Sequence, residues 1–222
     1  MCIRDRFRDP VLSASLAVSA LVSTVMMATL VVGPFYLTRA LGLDAAMVGL
    51  VLSIGPLVAA LTGVSAGRIA DRFGAQRTTL VGLIGVAGGA FTLSLLPSTL
   101  GIPGYIAPIV VITAAYALFQ TANNTAVMTD VTGDQRGVIS GMLNLSRNLG
   151  LITGASVMGA VFSFASATTD IATARPEAIA AGMRVTFAVA GALIVVAFAL
   201  AARAMRRQPT QARLVRARLT RR

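Results

Sequence analysis

The stretch Gly67-Arg-Ile-Ala-Asp71-Arg72-Phe-Gly74-Ala-Gln-Arg77 decides how this chain is read. It joins two runs, Ala45–Val64 and Thr78–Leu96, each apolar enough and long enough to cross a bilayer. A connection this short between two spans must reverse the chain at the membrane surface. Glycine permits tight backbone approach there, while one carboxylate and several guanidiniums stay at the water–lipid boundary.

Outward from this turn, the rest of the chain repeats the pattern. Hydrophobic residues make up 56% of it, charged residues 12%, and the mean hydropathy is +0.80. Soluble domains carry about a quarter charged residues, so the composition is that of a membrane protein. The first apolar segment, Val11–Leu37, exceeds the roughly 20 residues a span requires and should tilt or protrude. Gly42–Asp44 is a very short outer turn before the second span. Beyond the third, Pro97–Gly104 reads as an uncharged outer turn rich in proline and glycine. The fourth span, Tyr105–Met128, leads through an inner loop, Thr129–Arg136, to the fifth, Gly137–Phe164. A longer polar outer stretch then reaches Pro176-Glu177, where proline at a first helical position starts the last helix. Its span, Met183–Ala202, carries only Thr186 as a polar side chain besides Arg184 at its outer end, and is expected to face lipid. The domain reading is a cytoplasmic segment at 1–10, a six-helix bundle at 11–204, and a basic tail at 205–222 on the inner leaflet. Arginines near an anionic surface gain roughly 1 kcal/mol each.

All 19 basic residues are arginine, against 8 acidic ones, for a net charge of +11. Most of them fall at the N-terminus, at 67–77, at Arg136 or after Ala202, all on one side if six helices cross alternately. Arg39, Arg175 and Arg184 lie on the other side, and Arg147 lies within a span. This is the positive-inside bias, with both termini cytoplasmic. Sorting by loop accounts for the charge, and no nucleic-acid partner is expected. Met1–Pro10 is charged and the apolar run after it is too long for a signal h-region, so no cleavable signal peptide is expected. Met1-Cys2-Ile3-Arg4-Asp5 also resembles a translated sequencing-adapter end, and the natural N-terminus is expected upstream.

The chain has 1 cysteine and 0 histidines. Disulfide frameworks, thiolate metal sites and histidine general bases are excluded within it, and neither metal nor cofactor is expected. Gly63-Val-Ser65-Ala-Gly67 fits the Gly-x-Ser-x-Gly pattern of a hydrolase. That elbow needs a strand-to-helix turn and a histidine base, so the match is accidental. No enzymatic activity is expected.

Two polar faces stand out inside the spans. Ser140, Asn144 and Arg147 fall at i, i+4 and i+7 on the fifth segment, and Gln120, Asn123 and Asn124 form a matching face on the fourth. Arg147 lies about 15 Å along the helix from Gly137. A charge at that depth costs at least about 2.5–3.5 kcal/mol and should face protein or a wet cavity. The two faces are either the wall or gate of a transport path, or a hydrogen-bonded cluster locking the helices together. Gly150 and Gly154 allow close helix approach.

The Gly67, Asp71-Arg72, Gly74, Arg77 order resembles the loop motif of the major facilitator superfamily. Gly141-x-x-Asn144-x-x-Arg147-x-x-Gly150-x-x-x-Gly154 resembles the penultimate helix in C-terminal halves of its fourteen-helix drug–proton antiporter branch. Gly33-Pro34-Phe35-Tyr36-Leu37 resembles that branch's first C-half helix. The likeness covers roughly residues 10–205. The Gly-Pro-x-x-x-Gly-Gly antiporter motif of N-terminal halves is absent from the fifth span, which favours a C-terminal half. The resemblance implies an all-α membrane protein, six transmembrane helices in two inverted three-helix repeats forming half of a major facilitator fold, in a bacterial cytoplasmic membrane. It further implies proton-coupled export. Asp71 would be a conformational latch, paired with Arg72 and Arg77 and facing a helix N-terminus of the missing N-terminal half.

Ser15, Ser19 and Ser23, with Met26, Met27, Phe35, Tyr36, Tyr116 and Phe119, either line an adaptable pocket or pack between helices. Together they fit a small amphipathic substrate better than a sugar. No Asp or Glu lies within any of the six spans. Proton relays need one, so the coupling carboxylate is expected in the other half. The alternatives are a metabolite transporter of the same superfamily and a non-transporting six-helix scaffold or partner subunit.

Overall fold

A computed structural model of the chain describes residues 10–129, 131–167 and 174–219, with side chains at 12–97, 99–129, 131–167 and 174–206. The segment 1–9 with Cys2, Asp130 of the inner loop, residues 168–173 of the polar outer stretch, and the tail's side chains past Arg206 lie outside the described residues. Among the described residues six long helices make the fold: α1 (Pro10–Phe35), α2 (Ala45–Phe73), α3 (Ala75–Leu95), α4 (Gly101–Met128), α5 (Gly133–Ala165) and α6 (Pro176–Leu219). Each is long and apolar enough to cross a membrane, and no strand occurs among the described residues. The chain is an all-α integral membrane protein.

Helix boundaries differ from the apolar segments in an instructive way. The stretch 67–77, expected as a loop, is almost wholly helical: α2 runs on to Phe73 and α3 begins at Ala75. Only Gly74 reverses the chain, at φ 86° and ψ 138°. Its N–H donates to the Ala70 carbonyl at 3.0 Å and closes α2, while its own carbonyl accepts from the Thr78 N–H at 3.1 Å and opens α3. That backbone region is almost confined to glycine. At the other end, α1 passes into a π-helical turn, Tyr36–Ala40, and Gly42 turns the chain at φ 69°. Asp44 then caps α2, its Oδ1 accepting from the Met47 N–H at 2.8 Å. The turn expected at Pro97–Gly104 is shorter, because α4 already begins at Gly101 and takes Pro103 into its first turn, where the missing N–H costs nothing. Pro176 opens α6 as expected.

The helices pack as two related sets of three. α1 lies on α5 as α4 lies on α2, α4 lies on α3 as α1 lies on α6, and α3 meets α6. Exchanging α1 with α4, α2 with α5, and α3 with α6 maps these contacts onto one another, as repeats of inverted topology require. Glycines set the closest of them. A Cβ at Gly154 would come within 2.6 Å of the Thr24 carbonyl oxygen, and one at Gly150 would overlap the Ala20 carbonyl. Thr24 Oγ1 donates to the Gly150 carbonyl at 3.0 Å, and Ser146 Oγ to that of Leu16 at 2.6 Å. The small residues thus let α5 approach the α1 backbone, which is what drives association where lipid supplies no hydrophobic force.

α6 differs from the lipid-facing helix expected. It packs on α3 and α1, burying Ile179, Met183, Phe187 and Ile194, and among its described residues the exposed large apolar side chains are Val185, Val195 and Val196. Thr186 is buried and satisfied by the Gly182 carbonyl at 2.8 Å. The helix with the most uncovered apolar surface is α2, where Leu50, Leu57, Leu61 and Val64 are each more than half exposed. α5 is similar, with Leu145, Leu149 and Ile152.

Candidate functional site

A cavity of about 390 Å³ lies between α1, α4 and α5. α1 contributes Ser19 and Ser23, one helical turn apart; α4 contributes Tyr116, Phe119, Gln120, Asn123, Asn124 and Met128. The α5 wall is Ser140, Gly141, Leu143, Asn144 and Arg147. Both polar faces expected from the sequence therefore meet at one cavity. Packing aims them there. On α5 the buried residues Ile139, Gly150 and Gly154 run alongside the polar stripe on the side that packs against α1, and the reverse side, with Leu145, Leu149 and Ile152, is exposed; α4 is held by its packing on α3, where the Phe119 backbone meets Gly82.

Hydrogen bonding separates the two meanings the stripe had in the sequence. Arg147 donates from Nη2 to Asn144 Oδ1 at 3.0 Å. Asn148 Nδ2 donates to the Asn144 carbonyl at 2.9 Å and to its Oδ1 at 3.2 Å. These bonds all lie within α5. Among the described residues, no hydrogen bond joins Gln120, Asn123 or Asn124 to the α5 stripe. The arrangement is a cavity wall rather than a bolt between α4 and α5. Arg147 is half-buried there, no acidic residue lines the cavity, and no ion pair reaches Arg147 among the described residues.

A second cavity of about 260 Å³ lies next to it, between α1, α2 and α4 with Leu151 of α5 at its edge. Met26, Leu30, Val51, Leu52, Pro56, Ile109 and Leu151 make it apolar, and Tyr116 lines both cavities. Sequence reading missed the α2 wall. The only signal there was Gly55-Pro56 in mid-span, a place where helix regularity is relaxed.

The remaining pocket candidates are dispersed. Tyr116 and Phe119 line the polar cavity and Met26 the apolar one, whereas Met27 packs against Gly154. Phe35 stacks on Phe162 with centroids 6.0 Å apart, and Tyr36 on Tyr105 at 5.8 Å. Met27 sits about 100° around α1 from Met26, and that rotation turns it to α5. Ser15 lines a separate void of about 40 Å³ beside Gln76 and Thr79.

At the α2–α3 turn, Asp71, Arg72, Gly74 and Arg77 are exposed and Gly67 is half-buried. The Arg72 guanidinium lies 5.6 Å from the Phe73 ring centroid. Among the described residues no ion pair ties Asp71 to Arg72 or Arg77, so this half by itself does not form the pairing the motif implied.

The family model of the Major Facilitator Superfamily matches residues 2–155. The uncharacterized transporter YebQ of Escherichia coli (strain K12) is 33% identical over 154 residues, which is 69% of this chain and 34% of that protein. The riboflavin transporter RibZ of Clostridioides difficile (strain 630) is 25% identical over 130 residues, 59% of this chain and 28% of that protein. The chain thus spans about a third of the length of these relatives. With a family match over more than half its length, and six helices of membrane-crossing length among the described residues, the chain belongs to the major facilitator superfamily of membrane transporters.

Proposed function

We propose that this chain is the C-terminal half of a secondary active transporter that exports drug-like or other amphipathic compounds in exchange for protons. It would sit in a bacterial cytoplasmic membrane with both termini inside. The observation that carries this reading is the cavity between α1, α4 and α5, polar inside an apolar bundle, with Asn124, Ser140 and Asn144 exposed at its rim. A polar cavity at that depth is expensive unless water or a substrate uses it. The six helices would rock as one body against the missing half around this site. Asp71, exposed at the α2–α3 turn, would latch one state by facing a helix N-terminus of that half, worth a few tenths to about 1 kcal/mol. The proton carboxylate would belong to the other half, because no acidic residue lines the cavity.

A metabolite as cargo is the second reading. The amide-rich wall favours it, and so does a relative named a riboflavin transporter. Both readings are tested by expressing the full-length gene in efflux-deficient cells with a panel of amphipathic dyes of either charge, flavin included. Lower dye accumulation than with empty vector, restored by Asn123→Leu in the cavity, supports export of that class. Flux of flavin alone moves the cargo to metabolites. Accumulation equal to empty vector for every compound would leave the non-transporting scaffold in place of both.

A further inference from the structure

We infer that the two adjoining cavities form one divided site for an amphipathic anion, with its acidic group at Arg147 and its apolar body beyond Tyr116; this rests on the transport reading above. The argument begins with the charge. A guanidinium inside a span is paired, or faces water or a ligand. Arg147 has five N–H donors, and its one side-chain hydrogen bond among the described residues is to the neutral Asn144 Oδ1. That oxygen also accepts from Asn148, so Asn144 orients the guanidinium without neutralising it. The cavity around it offers further donors from Gln120, Asn123 and Asn124, and no carboxylate.

A cationic cargo would meet uncompensated repulsion in this chamber. A neutral one would leave the guanidinium without a counter-charge. A carboxylate, sulfonate or phosphate matches the planar fork and gains charge-assisted hydrogen bonds. The apolar half of the ligand has a place as well. The second cavity begins across Tyr116 and is walled by aliphatic side chains of α1, α2 and α4, with Leu151 one turn beyond Arg147. At about 390 and 260 Å³, the two chambers together are of the size that holds drug-sized ligands.

The competing explanation is a carboxylate on the other half that pairs with Arg147 and makes it an inter-half tie. The full-length protein in lipid nanodiscs separates the two, with protein-free nanodiscs subtracted. The probes are anilinonaphthalene sulfonate and phenylnaphthylamine, which share their rings and differ by the anionic group. We expect the sulfonate to bind about tenfold more tightly. Arg147→Gln should erase that preference and leave phenylnaphthylamine binding and the ligand-free Tm unchanged. Gly55→Phe, which fills the apolar chamber, should weaken both probes alike. If Arg147→Gln does not reach the membrane, Asn144→Asp sets a fixed carboxylate beside the guanidinium and should abolish the preference on its own. Equal binding of the two probes to the unaltered protein would overturn the inference, as would a preference that survives Arg147→Gln. So would a ligand-free Tm lowered by Arg147→Gln with no preference to erase, the signature of an inter-half tie. Failure of the transport reading looks different. The charge preference would then be present, yet neither probe would cross a proteoliposome membrane.

Discussion

Gly154 shows how a single atom governs this bundle. Its missing Cβ leaves room for the Thr24 carbonyl and the Met27 side chain, and Gly154→Leu would drive α5 off α1. We expect a loss of at least about 1–3 kcal/mol, the usual cost of overpacking, read as a lower Tm of the purified full-length protein. Gly63→Ala is the matched control, since nothing lies within 4 Å of a Cβ there, and it should leave Tm unchanged or slightly raised. If the two variants melt alike, glycine packing is not what holds α1 to α5. Ser146→Ala removes the bond to the Leu16 carbonyl and should cost only about 0.6 kcal/mol, the average for interhelical hydrogen bonds in membranes. At this scale the polar stripe was plain in the sequence, because Ser140, Asn144 and Arg147 share one helical face. The approach of Gly150 and Gly154 was plain too, but not the α1 carbonyls they approach.

The α2–α3 turn sets the angle between two whole helices through Gly74. A branched side chain at φ 86° is strained, so Gly74→Val should destabilise by about 1–3 kcal/mol. Thermal unfolding and the yield of inserted protein would register it; an unchanged yield and Tm would show that the turn tolerates another geometry. Asp71 stands at the same turn without being part of its packing, since it is exposed and carries no ion pair among the described residues. Asp71→Asn should therefore slow transport by the full-length protein while leaving its Tm alone. Unchanged flux would remove Asp71 from the mechanism. The motif announced this turn but disguised its length, because arginines at a membrane surface look like a loop even when helical. Apolarity marks where a helix is immersed, not where its hydrogen bonds end.

On the scale of the whole molecule, the inverted relation between the two sets of three helices leaves α2 and α5 as the least covered. Their exposed leucines need lipid or the proposed second half. An arginine at Leu61 on α2 should lower membrane insertion by about 2.5–3.5 kcal/mol, measured as the fraction of chains inserted, whereas insertion equal to the unaltered chain would place Leu61 in water. The proposed exchange for protons is tested at this scale as well. With no acidic residue at the cavity, neutralising the membrane carboxylates of the other half should abolish coupling in the reconstituted full-length protein. Coupling that persisted would send the search back to this chain.

The sequence alone determined that there are six membrane-length helices, where they turn, and which faces carry hydrogen-bonding groups. Those properties are local: burial in lipid demands a continuous apolar run, and helical periodicity puts i, i+4 and i+7 on one side. Only the tertiary structure decided that the α4 and α5 faces open onto one cavity instead of bonding to each other. It also dispersed Met27, Phe35 and Tyr36 away from that cavity, gave α6 a buried face, and set an apolar chamber of α1, α2 and α4 beside the polar one. The physical reason is that a helix's rotation about its axis is fixed by its neighbours. In an all-apolar helix nearly every rotation satisfies the lipid, and the choice falls to glycine contacts and a few hydrogen bonds with partners more than a hundred residues away.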